Sequence, residues 1–176
     1  APGDIGLPAQ KDEFIVTEED RALATAAIKK DLVQPALRRI EMFVEKLHNI
    51  KGHITNDEGK LDSVIAADLD NNGKKDLIGI YTLYGRGIPN PDSEHTIGGS
   101  SEMLFVLWDT GKVERVMSYE EGWPAFSLVG PIDIDMDGVQ ELIVQKTVSP
   151  IYESSFAGTE INILRHGPSG WENIYK

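Results

Sequence analysis

The stretch Ala67-Asp-Leu-Asp-Asn-Asn-Gly-Lys-Lys-Asp-Leu-Ile78 has a second version later in the chain, Ile132-Asp-Ile-Asp-Met-Asp-Gly-Val-Gln-Glu-Leu-Ile143. In both, acidic or amide side chains fall at alternate positions and a glycine follows the third. A carboxylate comes three residues later, and two apolar residues close the stretch. This pattern suits an oxygen cage for a hard divalent cation, because calcium takes about six to eight oxygens from carboxylates, amides and backbone carbonyls. Ligands at every second residue wrap an ion when the chain curls, and glycine permits the curl at positive φ. The candidate ligands of the first loop are Asp68, Asp70, Asn72, the carbonyl of Lys74, and Asp76. Those of the second are Asp133, Asp135, Asp137, the carbonyl of Val139, and Glu141. Two Ca²⁺ sites are therefore expected.

An EF-hand is excluded. Its loop needs a bidentate glutamate at the twelfth position, where this chain has Gly79 and Val144. The competing reading is a metal-free turn, since Asp, Asn and Gly favour turns unaided. Recurrence at the same place in two repeats favours the cage. The first loop has three carboxylates with Lys74 and Lys75 beside them, whereas the second has four and no lysine. On local charge the second loop is expected to bind more tightly.

Strand signals surround both loops. Short runs rich in β-branched and aromatic residues, separated by turn residues, fall at 61–69, 76–84, 102–108 and 113–119, then at 126–134, 141–148, 160–166 and 171–175. Met103-Leu-Phe-Val-Leu-Trp108 is apolar throughout, which predicts burial on both faces. The two sets are internal repeats. The loops match at an offset of 65, while Ser101-Glu102 matches Thr159-Glu160 and Val113-Glu114 matches Trp171-Glu172 at 58. Each repeat reads as a four-stranded antiparallel meander whose first hairpin carries the acidic loop.

Ahead of the strands the spacing is helical. Thr17 caps an acidic first turn, Glu18, Glu19 and Asp20, which suits the positive end of a helix dipole. Leu23, Ala26, Ala27, Leu32 and Val33 mark one apolar face; Leu37, Ile40, Phe43, Val44 and Leu47 mark the next. Pro35 lies between them and kinks or splits the helix. Arg38, Arg39, Lys46 and Lys51 read as a solvated face. The expected fold is a β-rich α+β domain spanning 1–176. Residues 1–16 form an extended lead-in that packs Phe14-Ile15-Val16, and 17–50 form a kinked helix or helix pair. Two blade-like repeats follow, at 61–119 and 125–175, with Trp123 packing between them.

Composition narrows the partners. The net charge is −12, with no basic stripe, which argues against nucleic acid. No apolar run is long enough to span a membrane. Without cysteine, neither disulfides nor thiolate metal sites are available. The chain begins at Ala1-Pro-Gly, as a processed exported protein does and as an artificially trimmed chain would. Calcium loops serve best outside the calcium-poor cytosol, so export to a periplasm or medium, in a bacterium, is expected.

The loops "DLDNNGKKDLI" and "DIDMDGVQELI" and their strands, roughly residues 61–175, resemble the calcium-binding FG-GAP and VCBS-type repeats of integrin-α-like β-propellers and many secreted bacterial proteins. The resemblance implies calcium loops and a propeller-like blade context. It does not specify an activity, because that family includes adhesins, lectin-like modules, enzyme accessory domains and inhibitors. The chain lacks the Phe-Gly and Gly-Ala-Pro signatures and has two blade-like units, where propellers close with about four or more. Two sheets packed face to face, with helices over an open side, are the expected arrangement.

No nucleophile elbow, P-loop, HExxH or dinucleotide fingerprint is present, and His48, His53, His95 and His166 are scattered. The expectation is a non-catalytic module that binds a protein partner, one form being an inhibitor or immunity protein of a secreted enzyme. Residues 85–101 and 149–158 read as long loops suited to contact, with Arg86, Asp92, His95, Tyr152 and Phe156 as candidate contact residues. Two alternatives stand beside this reading. One is a calcium-dependent carbohydrate-binding module. The other is a hydrolase with a site near 85–101, drawing on Asp92, Glu94, His95 or Glu153.

Overall fold

A computed structural model of the chain describes residues 14–119, 126–148 and 158–175. Two helices come first, α1 (Glu18–Asp31) and α2 (Val33–His48). Thr17 accepts the N–H of Asp20 while Asp20 takes the N–H of Thr17, a capping box that satisfies two donors at the helix start. Leu32 alone separates the helices. Pro35 falls in the first turn of α2, where its missing N–H costs nothing, so the proline starts the second helix and does not kink one long helix.

The buried residues of α1 are Ala24 and Ile28. Leu23, at 56% exposure, and Ala26 turn to solvent, which corrects the face read from their spacing. In an alanine-rich helix several stripes look alike, and packing chooses between them. At the entry to α1, Val16 packs against the core but Ile15 does not. In α2, Val33, Ala36, Leu37, Ile40 and Val44 form one buried stripe.

Eight strands follow: β1 (Asn56–Ala67), β2 (Asp76–Pro89), β3 (Thr96–Leu107), β4 (Val113–Tyr119), β5 (Phe126–Ile132), β6 (Glu141–Val148), β7 (Gly158–Gly167) and β8 (Gly170–Asn173). They make two four-stranded antiparallel sheets, β1-β2-β3-β4 and β5-β6-β7-β8, each a simple meander. The molecule has three layers: helices, first sheet, second sheet. Leu77, Tyr81, Leu83, Met103, Phe105 and Leu107 pack under the helices. Their alternate neighbours Ile78, Ile80, Leu104 and Val106 pack against Phe126, Leu142, Val144 and Leu164 of the second sheet. The apolar run in β3 is thus buried on both faces, as its composition predicts. Each fully buried Leu or Ile here contributes about 1.5–3 kcal/mol. Glu102, itself buried, accepts the N–H of Phe126 at 2.7 Å and ties the second sheet's first residue to the first sheet.

The ladder registers align the repeats more finely than the sequence does. Ile78 pairs with Val106, and 65 residues on, Ile143 pairs with Ile163. The third strands are therefore offset by 57, not 58. Val113, opposite Leu107, corresponds to Asn173, opposite Leu164, an offset of 60 in the fourth strands. A slip of one residue exchanges the faces of a strand, so the correction matters. Leu77 and Leu107 lie under the helices; their counterparts Leu142 and Leu164 lie under the first sheet. The repeats stack front to back. The face of the first sheet that receives the second is matched by an outer face of the second sheet carrying Ile143, Ile163 and the 41%-exposed Ile161.

Residues 85–101 are not the long loop expected. β2 runs on to Pro89, β3 begins at Thr96, and β1 extends back to Asn56 alongside them. What remains is a tip at 90–95. The glycines that read as loop residues mark a bent hairpin arm. Gly87 sits at φ +110 beside the register shift between Arg86 and Ile88, and a Cβ on Gly98 would lie 2.0 Å from the Gly85 carbonyl. Glycine inside a strand signals a bulge or close backbone approach as well as a turn. The expected contacts at Tyr152 and Phe156, the 149–157 part of their loop, Glu153 and Trp123 fall outside the described residues, as does the lead-in up to residue 13.

Candidate metal centre

Both acidic loops join the first two strands of their sheets, β1 to β2 and β5 to β6. They curl in the same way, bond for bond. Asp68 accepts the N–H groups of Asn72 (2.9 Å) and Gly73 (2.9 Å); Asp133 accepts those of Asp137 (3.1 Å) and Gly138 (2.9 Å). Asn72 Oδ1 takes the N–H of Lys74, and Asp137 Oδ1 that of Val139, each at 2.8 Å. Asp76 takes the N–H of Leu69, and Glu141 that of Ile134, each at 3.0 Å. Asn71 and Met136 occupy left-handed backbone at φ 59 and 61, and Gly73 and Gly138 at 82 and 92. Asparagine tolerates that region, whereas methionine is strained there.

In the first loop, oxygens of Asp68, Asp70 and Asp76 lie within 4.8 Å of one another, and in the second those of Asp133, Asp135 and Glu141 do so. A carboxylate that accepts one N–H per oxygen keeps lone pairs for another partner. The donor set is all oxygen, which suits a hard cation and not a soft one. Asn72 and Asp137 sit at the rim with one oxygen each committed to backbone, and Asp137 falls outside the 4.8 Å group. Lys74 and Val139 follow them, each held through its own N–H.

Asp76 and Glu141 are the inner walls, both 0% exposed. Burial pushes the Asp76 carboxyl above the ordinary carboxylate range, partly opposed by the N–H groups of Leu69 and Asp109. A cation beside it would offset that desolvation cost.

The loops differ in what neutralises them. In the first, Asp109 at the end of β3 donates its N–H to Asp76 Oδ1 at 2.9 Å. Its carboxylate holds Lys74 at 2.8 Å and is thereby kept below the ordinary range. Lys75 is drawn to Asp20 of α1 at 2.7 Å. Both lysines are thus paired with carboxylates outside the ligand group. In the second loop Arg165 of β7 enters the group itself. Its Nε donates to Glu141 Oε1 at 2.6 Å, and its Nη2 contacts both Glu141 and Asp135. Its hydrogen bond to Asp135 holds that carboxyl below the usual range. Asp109 and Arg165 are the residues missed in the sequence. Each lies more than twenty residues from its loop, and only the strand pairing brings it there.

The two loops touch. Gln140 donates its N–H to the Leu69 carbonyl at 3.0 Å, and a Cβ on Gly138 would lie 2.8 Å from Asn71 Nδ2. Beside them Trp108 stacks on Trp171 at 6.2 Å, with His166 tilted against both rings and held by Glu114 at 3.2 Å. His166 therefore joins the sheets and is not an isolated surface residue.

Of the expected contact residues, Arg86 and His95 are brought together on a shallow groove with Tyr84 and Thr96. Asp92 is exposed on the tip, its N–H on Asn90 Oδ1 at 3.0 Å. Among the described residues no helix is long and apolar enough to cross a membrane. No protein-family model, curated protein or solved structure matches the chain.

Proposed function

We propose that the protein is a calcium-braced β-repeat module that acts by binding a protein partner and not by catalysis. The observation that carries this reading is the duplicated loop, with one hydrogen-bond pattern repeated 65 residues apart around three converging carboxylates. Asp68, Asp70 and Asp76 would hold the first ion, and Asp133, Asp135 and Glu141 the second, with Asn72, Asp137 and the carbonyls of Lys74 and Val139 completing the sets. Calcium would neutralise the tips and lock both hairpins where the loops touch.

The binding role is supported by the outer face of the second sheet. Ile143, Ile161 and Ile163 stand there, and among the described residues no helix covers them as α1 and α2 cover the first sheet. An inhibitor or immunity protein of an exported enzyme is one form of such a module, working where calcium is plentiful. The test is thermal unfolding with calcium and with chelator. Calcium should raise the midpoint and magnesium should raise it less, because magnesium dehydrates reluctantly and demands stricter geometry. Equal midpoints in calcium and chelator would overturn the reading.

A further inference from the structure

We propose that the outer face of the second sheet is where two copies of this chain join, back to back, across a twofold axis. This rests on the partner-binding reading above and names the partner as a second copy. The two repeats correspond position by position. Ala67, Leu69, Ile78, Ile80, Leu104 and Val106 are the buried residues of the first repeat that pack against the second sheet. At offsets of 65 in the loop and second strand and 57 in the third, their counterparts are Ile132, Ile134, Ile143, Gln145, Ile161 and Ile163. All but Gln145 are isoleucine. Ile132, Ile134 and Ile161 are 47, 46 and 41% exposed, and Ile143 and Ile163 are half-buried. Glu114, which meets His166 across the sheets, corresponds at the offset of 60 to Ile174, which is exposed. The second loop extends this surface. Asn71 lies where the loops touch, and its counterpart Met136 is 87% exposed at φ 61. An exposed apolar surface of this kind marks an interaction site, and a strained backbone position accompanies it.

The positions that make the sheet-on-sheet contact are thus repeated, still apolar, on the last sheet. What fits them is another apolar sheet face, as in any sandwich. A second copy cannot offer the front face of either sheet. That of its first sheet lies under α1 and α2, and that of its second sheet lies against the first. It can offer the same isoleucine face. A patch that meets its own copy closes at two chains. Each copy carries a net charge of −12, so apolar burial holds the pair against mutual repulsion, and screening salt strengthens it.

The experiment is sedimentation equilibrium of the full chain at about 1 to 100 µM, in calcium and in chelator. In at least one of the two buffers the mass should rise with concentration from 19.4 kDa to twice that and no further. Ile161→Asp should weaken the dimer about a hundredfold, because the substitution buries an unpaired charge from each copy. Met42→Asp, at an exposed position of α2, should leave the dissociation constant within about twofold. Raising sodium chloride from about 0.05 to 0.5 M should lower that constant about threefold or more. A wild type at 19.4 kDa throughout both buffers would overturn the proposal and leave the face to a different protein. Growth beyond the dimer, an unmoved constant in Ile161→Asp, an equal loss in Met42→Asp, or a dimer that salt dissolves would overturn it too. Should Ile161→Asp fail to fold, the mass of the wild type still decides. Thermal unfolding reads the cation separately, so this proposal can fail while the calcium reading stands.

Discussion

The first and second acidic loops share a backbone and differ in how the inner carboxylate is satisfied. Asp76 is met by two backbone N–H groups, from Leu69 and Asp109. Glu141 is met by one, from Ile134, and by the side chain of Arg165. A fixed amide at the end of β3 serves one repeat, and a guanidinium at the equivalent end of β7 serves the other. A local motif fixes the shape of a site, while residues arriving from another strand fix its charge.

Removing the two inner acids should separate the loops most strongly. In calcium-free buffer Asp76→Ala strands two backbone donors, one of them on the buried Leu69. Relief of the buried charge returns part of that loss, leaving about 2–3 kcal/mol. Glu141→Ala strands the N–H of Ile134, a half-exposed residue that water can reach, and leaves Arg165 on Asp135. About 1–2 kcal/mol is expected there. Urea unfolding measures both. A larger loss for Glu141→Ala would break the distinction between the loops.

A difference of no more than that size is expected between the two glycines. Both need positive φ, which costs an alanine about 1–2 kcal/mol. Nothing lies within 4 Å of a Cβ on Gly73, whereas one on Gly138 would meet Asn71 Nδ2 at 2.8 Å. Gly138→Ala should therefore exceed Gly73→Ala by about 1 kcal/mol in the same assay. Equal values would mean that the loops part freely where they now touch.

Much of this was legible in the sequence because it is local. The Thr17 cap, the break before Pro35, the limits of β4 and β6, and both curled loops follow from residues within a few positions of one another. The two-sided burial of β3 follows from its uninterrupted apolar run. Long-range pairing hid the rest. Gly85, Gly87, Gly98 and Gly99 signalled a loop but sit in a bulged arm, because glycine marks close backbone approach as readily as a turn. The match of Glu102 to Glu160 suggested an offset of 58, and only the ladder shows 57. Counting charges beside each loop missed Arg165, which lies 24 residues beyond Glu141.

The central claim is that the duplicated loops each hold a divalent cation. Calorimetric titration with calcium, comparing the wild type with the double variant Asp76→Asn and Glu141→Gln, tests it most directly. The account predicts saturable binding at two sites in the wild type and none in the variant, with both proteins folded by circular dichroism. Absence of binding in the wild type, or unchanged binding in the variant, would contradict it.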